Sequence, residues 1–324
     1  MKDLLEVENL TVKVPSQGKM VTIVDRVNFA VAEGQVVGIA GESGSGKTMS
    51  TLALLRLLPP RAVLEGRVVF DGADLVAAGE RALRSVRGRQ IAMVFQDPMA
   101  SMHPMLSIGR ILTDHLRVHF GHNRSGARAR AIEMLEAVRI PDPEKSLKAY
   151  PHQFSGGMRQ RIAIASALIC EPRLLIADEP TTALDVTVQA GILRLLDSLR
   201  RERQLSVMLI THDLGVMSAL ASVLNVMYAG RIVEAGATRA VVQNPRHPYT
   251  RALLAALPRS GDTRGMRAIA GSPPAPQEDI SGCPFHPRCE FATRDCEVIA
   301  PRLTQLEERW LACPPDPLRI RGAA

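Results

Sequence analysis

A glycine-rich octapeptide near the start of the chain constrains the fold more strongly than any other segment. It runs Gly41-Glu42-Ser43-Gly44-Ser45-Gly46-Lys47-Thr48 and lies between the apolar run 36–40 and a segment predicted to be helical. A strand, such a loop and a helix in this order are typical of a phosphate-binding loop, whose backbone N–H groups and helix dipole converge on phosphate oxygens. Lys47 is expected to contact the β- and γ-phosphates, and Thr48 to contact Mg²⁺. The residues predicted to bind the nucleotide are Gly41, Ser43, Gly44, Ser45, Gly46, Lys47 and Thr48.

Polar residues follow three continuous apolar runs, at 36–40, 174–177 and 207–210. Apolar runs that alternate with helical segments are typical of a parallel sheet covered on both faces. Ligands of such sheets bind at the carboxyl ends of the strands, so the chemistry is expected directly after these runs. Alternating polarity predicts a separate, small antiparallel sheet, with strands within 4–14, 21–31 and 66–71.

Two adjacent acids follow the second of these runs. Asp178 ends the predicted strand and is expected to bind Mg²⁺, whereas Glu179 is placed to polarise a water molecule in line with the γ-phosphate. His212 follows the third run and is therefore a candidate to contact the γ-phosphate. The pattern predicts hydrolysis of a nucleoside triphosphate that is bound together with Mg²⁺.

Composition excludes several classes of protein. The 324 residues include 40 Lys+Arg and 33 Asp+Glu, so the formal net charge is +7; hydrophobic residues make up 46% and charged residues 23%. These values exclude disordered, collagen-like and coiled-coil chains and leave room for about two domains. With 3% aromatic residues, stacking platforms for single-stranded nucleic acid are scarce, so no nucleic-acid partner is predicted. No stretch approaches about 18 apolar residues and no signal-peptide run begins the chain, so a cytosolic location without a membrane span is expected.

Three further motifs identify a family. The segment Phe154-Ser155-Gly156-Gly157-Met158-Arg159-Gln160 resembles the signature motif of ATP-binding cassette proteins. Its serine, as an N-cap followed by two glycines, offers a hydroxyl group, backbone N–H groups and a helix dipole to an anion. Phe95-Gln96-Asp97-Pro98 resembles the Q-loop of that family, and Ala183-Leu184-Asp185 resembles its D-loop.

The resemblance implies a P-loop NTPase of the α/β class. Its expected parts are a mostly parallel core sheet, an antiparallel β subdomain, a helical insertion at about 98–160 and a small Cys-rich C-terminal extension. The nucleotide-binding domain is expected at 1–240 and the extension at 241–324. Family members form head-to-tail dimers, so Ser155, Gly156 and Gly157 are expected to contact the ATP of the partner cassette.

The resemblance also implies individual roles. Asp185 joins the nucleotide-binding residues, and Glu179, His212 and Gln96 are the expected catalytic residues. Gln96 is expected to contact the Mg²⁺ and water shell and to transmit closure to transmembrane subunits. The family usually stacks adenine on an aromatic residue near the end of the first strand, whereas Val12-Lys13-Val14 and the following loop contain none. The adenine contact is therefore expected to be weaker, or to come from an apolar side chain or from a partner.

A closer resemblance, to the ATP-binding subunits of oligopeptide and dipeptide importers, rests on four segments. They are Phe95-Gln96-Asp97-Pro98-Met99, Tyr150-Pro151-His152, Gly157-Met158-Arg159-Gln160-Arg161 and Asn244-Pro245-Arg246-His247-Pro248-Tyr249-Thr250. This implies a peripheral subunit at the cytoplasmic face of the membrane that works with a second ABC ATPase subunit, two transmembrane permease subunits and, indirectly, a substrate-binding protein. Two alternatives stay open: an importer of another small solute such as nickel or glutathione, and a soluble cassette ATPase acting on DNA or ribosomes.

Four of the five cysteines lie in the last 42 residues of the chain, namely Cys283, Cys289, Cys296 and Cys313. Four thiolates can hold Zn²⁺ or an iron–sulfur cluster, but zinc sites favour close Cys-x2–4-Cys pairs, which this tail lacks. The tail resembles importer tails that hold a 4Fe–4S cluster, so this cluster is expected, with zinc, a disulfide or no metal as alternatives. Its expected role is to staple the tail or to sense redox state. The remaining cysteine, Cys170, is predicted to be a buried core thiol.

Overall fold

The structure is a computed structural model that describes residues 2–182, 184–256, 268–275, 277–278, 280–314 and 316–318. The strands are β1 (Asp3–Ser16), β2 (Lys19–Ala32), β3 (Val36–Ala40), β4 (Val63–Phe70), β5 (Ala73–Asp74), β6 (Ile91–Val94), β7 (Leu174–Asp178), β8 (Ser206–Ile210), β9 (Val223–Tyr228), β10 (Arg231–Ala237), β11 (Thr304–Leu306) and β12 (Arg309–Leu311). The α-helices are α1 (Lys47–Leu54), α2 (Glu80–Val86), α3 (Ile108–Phe120), α4 (Arg124–Ala137), α5 (Pro143–Ser146), α6 (Gly156–Leu168), α7 (Val186–Arg203), α8 (Leu214–Leu220), α9 (Thr238–Gln243), α10 (Pro248–Ala255) and α11 (Arg294–Val298).

The chain divides into two compact units, each assembled from separate stretches. The first unit comprises Met1–Lys2, Ala32–Gln35 and Ala78–Ile210. The second unit comprises Asp3–Val31, Val36–Ala77 and Thr211–Ala324. The domain boundary at 240/241 stays a prediction.

The first unit contains the parallel strands that two of the apolar runs predict. Strand β7 pairs in parallel with β6 on one side and with β8 on the other, and Leu174 lies opposite both Ile91 and Ser206. Every residue of β7 and of β8 is buried. Because both faces of these strands are covered, an unbroken apolar sequence is what the packing requires.

Three helices of the first unit, α3, α4 and α6, lie in or extend from the segment at about 98–160 that was predicted to be a helical insertion. Helix α3 begins after Ser107, whose Oγ accepts a hydrogen bond from the backbone N–H of Arg110 (3.4 Å). It ends at Gly121, which adopts the left-handed conformation (φ 67°) that glycine tolerates best. Helix α4 is capped by Asn123 in the same way, and both helices pack against α6.

The second unit contains the predicted antiparallel sheet, with strand order β2-β1-β4-β5. Strands β1 and β4 pair with Leu5 opposite Phe70 and Val7 opposite Val68. The register shifts between Glu8 and Thr11, next to Gly66 (φ +97°). A Cβ atom on that glycine would lie 2.5 Å from the carbonyl oxygen of Asn9, so the two backbones approach too closely there for any side chain.

A further run of paired strands in the second unit has the order β11-β12-β10-β9-β3. Strand β3, the first apolar run, pairs in parallel with β9, while β9, β10, β12 and β11 pair antiparallel. The carboxylate of Glu234 on β10 is fully buried and accepts hydrogen bonds from the backbone N–H groups of Arg246 (3.0 Å) and His247 (2.9 Å). Burial raises the pKa of this carboxyl group, and the two N–H donors oppose that change. The C-terminal part of the chain is thereby joined to this sheet.

No helix in the described part of the chain is both long and apolar enough to cross a membrane. The thiol of Cys170 is buried, as predicted, and burial raises its pKa to about 11.

Candidate nucleotide-binding and hydrolysis site

Glycines determine the backbone of the loop that joins β3 to α1 in the second unit. A Cβ atom on Gly41 would lie 2.2 Å from the carbonyl oxygen of Met227, so no other residue fits at this position. Gly44 (φ +80°) and Gly46 (φ +102°) adopt left-handed conformations that side chains disfavour. The loop therefore has the tight, side-chain-free curvature on which phosphate binding depends.

Lys47 places a positive charge inside this loop. Its side chain is 5% exposed, and Nζ donates hydrogen bonds to the carbonyl oxygens of Gly41 and Glu42, each at 2.8 Å. The Oγ atom of Ser45 is buried and has no hydrogen-bond partner among the described residues. Thr48 lies exposed in the first turn of α1. A buried cation, an unsatisfied hydroxyl group and a helix N-terminus together fit an anionic ligand.

A cavity of 850 Å³ adjoins Gly44 in the same unit. Met20 and Ile23 of β2 line it, together with Pro274, Ala275 and other residues. None of the lining residues in the described part of the chain is aromatic. The cavity therefore contains apolar side chains of the kind expected to contact adenine in the absence of an aromatic residue.

In the first unit, Gln96 and Glu179 meet although 83 residues separate them. Oε2 of Glu179 accepts hydrogen bonds from Nε2 of Gln96 (3.0 Å) and from Oγ1 of Thr182 (2.8 Å). Glu179 has a positive φ of 46°, and its backbone N–H donates to the carbonyl oxygen of Ile210 at 2.8 Å. Thr182 was not among the predicted site residues, although a hydroxyl residue three positions after the acid could have indicated it.

Asp178 is the last residue of β7, and its side chain is 3% exposed. It immediately precedes the strained backbone of Glu179, so the two carboxylates leave the strand end in different environments. A buried carboxylate at a strand end provides the type of oxygen ligand that Mg²⁺ prefers.

The predicted signature and D-loop residues lie at adjacent helix starts in the first unit. Oγ of Ser155 accepts a hydrogen bond from the backbone N–H of Met158 (3.4 Å) at the start of α6. A carboxylate oxygen of Asp185 accepts one from Val188 (2.9 Å) at the start of α7. A Cβ atom on Gly157 would lie 2.6 Å from Cγ1 of Val188, so a glycine is required for this packing. Gly156 precedes it in α6, whereas Ala183 of the D-loop lies outside the described residues.

His212 belongs to the second unit, where it is exposed between β8 and α8. The adjacent Asp213 caps α8 by accepting hydrogen bonds from Gly215 (2.8 Å) and Val216 (3.2 Å). This cap fixes the backbone that follows the histidine.

Two family models match the chain. One, described as ABC transporter, matches residues 24–182, and the other, described as Oligopeptide/dipeptide transporter, C-terminal region, matches residues 233–296. The oligopeptide transport ATP-binding protein OppD of Haemophilus influenzae is 46% identical over 318 residues, which are 96% of this chain and 98% of that protein. This chain belongs to the ABC transporter family.

Other relatives and solved structures agree with this assignment. The dipeptide transport ATP-binding protein DppD of Escherichia coli is 45% identical over 307 residues, 94% of each chain. The ATP-binding cassette MJ0796, solved as a dimer in a post-hydrolysis state with ADP and Pi, gives a TM-score of 0.65 at 28% identity over 72% of this chain and 99% of its own. The cassette cbiO1 of Clostridium perfringens gives 0.62 at 26% identity over 74% and 91%. The predicted cassette fold is confirmed, and the chain is an ABC-type ATPase.

The four tail cysteines of this cassette are free and partly buried in the second unit. The backbone N–H of Cys283 donates to the carbonyl oxygen of Cys296 at 2.8 Å. Burial, and after it the charges of the neighbouring tail thiolates, raises the pKa of the Cys313 thiol to about 12. Within the described residues, no group of three or more His, Cys, Asp or Glu side chains is arranged to hold a metal ion. The expected zinc or iron–sulfur site is therefore not supported by this arrangement.

His286 lies between Cys283 and Cys289 and begins a short 3-10 helix. Its Nδ1 donates a hydrogen bond to the carbonyl oxygen of Cys283 at 2.8 Å. That bond fixes the turn after Cys283.

Proposed function

We propose that this cassette hydrolyses ATP to power a membrane importer of di- and oligopeptides. The observation that carries the proposal is the second family match, at residues 233–296, which comes in addition to the cassette match. The relatives named oligopeptide and dipeptide transport ATP-binding proteins support it, because they align over 94% or more of this chain.

In this proposal the loop of the second unit binds the triphosphate. The ammonium group of Lys47 exchanges its carbonyl partners for β- and γ-phosphate oxygens, and Ser45 supplies its buried hydroxyl group. Backbone N–H groups for the phosphates come from Gly41, Ser43, Gly44 and Gly46. His212 contacts the γ-phosphate. The charge-assisted bonds of a buried lysine to phosphate are stronger than its bonds to neutral carbonyl oxygens, which favours the exchange.

Glu179 acts as the general base in this proposal. Its carboxylate accepts a proton from the attacking water, and the Gln96 and Thr182 donors hold one of its oxygens in place. Ser155, Gly156, Gly157 and Asp185 serve the nucleotide of a partner cassette.

Thr48, Gln96 and Asp178 are the residues that would hold Mg²⁺. A hydroxyl, an amide and a carboxylate oxygen suit this cation, which prefers oxygen ligands. When bound, Mg²⁺ neutralises charge on the phosphate oxygens.

The proposed assembly contains a second ABC ATPase subunit, two transmembrane permease subunits and a substrate-binding protein outside this chain. The cassette would then act as a peripheral subunit at the cytoplasmic face of the membrane. Residues 1–240 form the nucleotide-binding domain in this proposal, and residues 241–324 form the importer-type extension.

Peptide uptake tests the cargo. Cells that carry Lys47→Ala at the native locus are expected to lose uptake of labelled di- to hexapeptides, because the ATPase subunit binds its nucleotide more weakly. Expression of the wild-type chain should restore uptake and show which peptide lengths are carried. The matched control is Lys148→Ala, which removes an exposed lysine outside the loop.

Unchanged uptake in cells that lack other peptide importers would contradict a peptide cargo. Uptake of nickel or glutathione, lost in the same variant, would support the alternative solute. A chain that purifies without permease subunits and binds DNA or ribosomes would instead support the non-transport alternative.

The tail cysteines are proposed to bind a 4Fe–4S cluster. Each thiolate of such a cluster binds a different iron, so the sulfur atoms need not converge as they do on one ion. The backbone N–H of Cys283 donates to the carbonyl oxygen of Cys296 at 2.8 Å, so these two cysteines are neighbours, which supports the proposal. A bound cluster would cross-link the tail.

Anaerobic purification tests this proposal without reference to activity. We expect about four iron atoms per chain with matching acid-labile sulfide, and loss of both in the Cys289→Ser/Cys296→Ser variant. The matched control is Cys170→Ser, which replaces a thiol outside the tail. Zinc in place of iron, or a metal-free tail, would contradict the proposed cluster.

A further inference from the structure

A buried arginine from the C-terminal tail contacts the phosphate-binding loop within the second unit. Arg288 ends the short 3-10 helix His286–Arg288, and its side chain is 4% exposed. Its Nη1 donates to Oε2 of Glu42 at 2.7 Å, and its Nη2 donates to Oε1 at 3.1 Å. Two parallel bonds from a buried guanidinium to one carboxylate fix both distance and orientation.

A second residue of the C-terminal extension, Tyr249, forms a hydrogen bond with the backbone of Glu42. The hydroxyl oxygen of Tyr249, a fully buried residue of α10, accepts a hydrogen bond from the N–H of Glu42 at 2.8 Å. Arg288 thus holds the side chain of Glu42, and Tyr249 holds its backbone. The position of the loop relative to the tail is determined at two points.

Aromatic packing makes this frame rigid. The rings of Tyr228, Tyr249 and Phe285 pack together, with centroids 4.5 to 5.4 Å apart. Arg288 also donates to the hydroxyl oxygen of Tyr228 (3.2 Å) and, through Nε, to the carbonyl oxygen of Ala270 (2.8 Å). Since the guanidinium group is held on several sides, it has little freedom to release Glu42.

Glu42 connects this frame to the phosphate-binding residues. Its carbonyl oxygen accepts hydrogen bonds from Nζ of Lys47 (2.8 Å) and from the backbone N–H of Ser45 (3.2 Å). A shift of Glu42 would therefore move the groups that present Lys47 and Ser45 to a ligand.

We propose that Arg288 and Tyr249 are positioning residues that hold Glu42, and through it the phosphate-binding loop, in the conformation that binds nucleotide. This inference rests on the proposed binding of ATP at the loop. It makes the C-terminal extension part of the nucleotide site.

A double-mutant cycle on the full chain tests the proposal. The measured quantity is the Kd of a fluorescent ATP analogue with Mg²⁺. We expect Arg288→Gln and Glu42→Gln each to raise the Kd about 10-fold. The double variant should raise it no further, because each single substitution already breaks the same ion pair between Arg288 and Glu42. Arg288→Lys should restore only part of the affinity, since an ammonium group cannot make the bidentate pair.

The matched control is Arg251→Gln, which breaks the ion pair of Arg251 with Glu290 in the same tail without contacting the loop. It should leave the Kd within about twofold. Tyr249→Phe removes only the hydroxyl group, so it keeps the test decisive if Arg288→Gln does not fold. It is expected to weaken nucleotide binding severalfold.

Two results would overturn the inference: a Kd unchanged in Arg288→Gln and Tyr249→Phe, or effects of Arg288→Gln and Glu42→Gln that multiply in the double variant. Lys47→Ala distinguishes this failure from failure of the proposed function. If Lys47→Ala loses affinity while Arg288→Gln keeps it, only the positioning role is wrong. If Lys47→Ala also keeps its affinity, the loop is not the nucleotide site.

Discussion

Replacing Glu179 with glutamine is expected to lower ATP turnover at this cassette about 100- to 1000-fold while nucleotide stays bound. Glutamine has the same shape as glutamate, and its single carbonyl oxygen can accept the hydrogen bonds that Gln96 and Thr182 now donate to Glu179. It cannot accept a proton from water, so the chemical step fails although the local structure is kept. The measurement is phosphate release by the assembled transporter with the substitution in this chain alone, together with retention of ATP.

Glu171→Gln is the matched control for this experiment. Glu171 lies in the same unit and, like Glu179, has a positive φ (53°), but it forms an exposed ion pair with Arg130. Its replacement should leave turnover near the wild-type rate. Near-normal hydrolysis with Glu179→Gln would show that, in the proposed pair of cassettes, the site that receives Glu179 is not the one that hydrolyses ATP.

Replacing Lys47 with alanine is expected to weaken ATP binding about 10- to 100-fold, the range for charge-assisted hydrogen bonds to a buried partner. The substitution removes the cation inside the loop and its bonds to Gly41 and Glu42. Isothermal titration with ATP and Mg²⁺ measures the change, and thermal unfolding without nucleotide reports whether the loop change affects the fold.

Lys148→Ala serves as the charge-matched control for Lys47→Ala, since it removes one lysine from an exposed position in the other unit. The two variants have the same net charge, so a difference between them cannot arise from overall electrostatic attraction of ATP. Equal affinities of the two variants would remove Lys47 from the nucleotide site.

The predictable parts of this fold are those encoded by local patterns. The glycines of the phosphate-binding loop are favoured by close approaches, such as that of Gly41 to Met227, or by positive φ angles, such as that of Gly44, and they were predicted from spacing alone. The runs that became β7 and β8 are apolar because both faces of those strands are buried. In these segments each residue type follows from its immediate surroundings, so the sequence carries the information.

Contacts between distant parts of the chain could not be predicted in this way. Arg288 and Glu42 are 246 residues apart, and an arginine beside a cysteine in a polar tail is typical of a solvated loop. Gln96 was assigned from family resemblance, but its bond to Glu179 depends on how β6 and β7 pair. The cysteine tail is a different case, because its cluster was expected from family resemblance, and among the described residues no group of three or more His, Cys, Asp or Glu side chains is arranged to hold a single metal ion.

The pairing of β12 with β10 has a practical consequence for anyone shortening this chain. Strand β10 would otherwise present a row of unpaired N–H and C=O groups, and such an edge recruits strands from other molecules. Strand β12 covers this edge and is itself covered by β11, and each of these two strands is only three residues long. Such short strands offer little length for further pairing. A version of the chain that ends before β11 would expose the edge of β10, so its tendency to aggregate would increase.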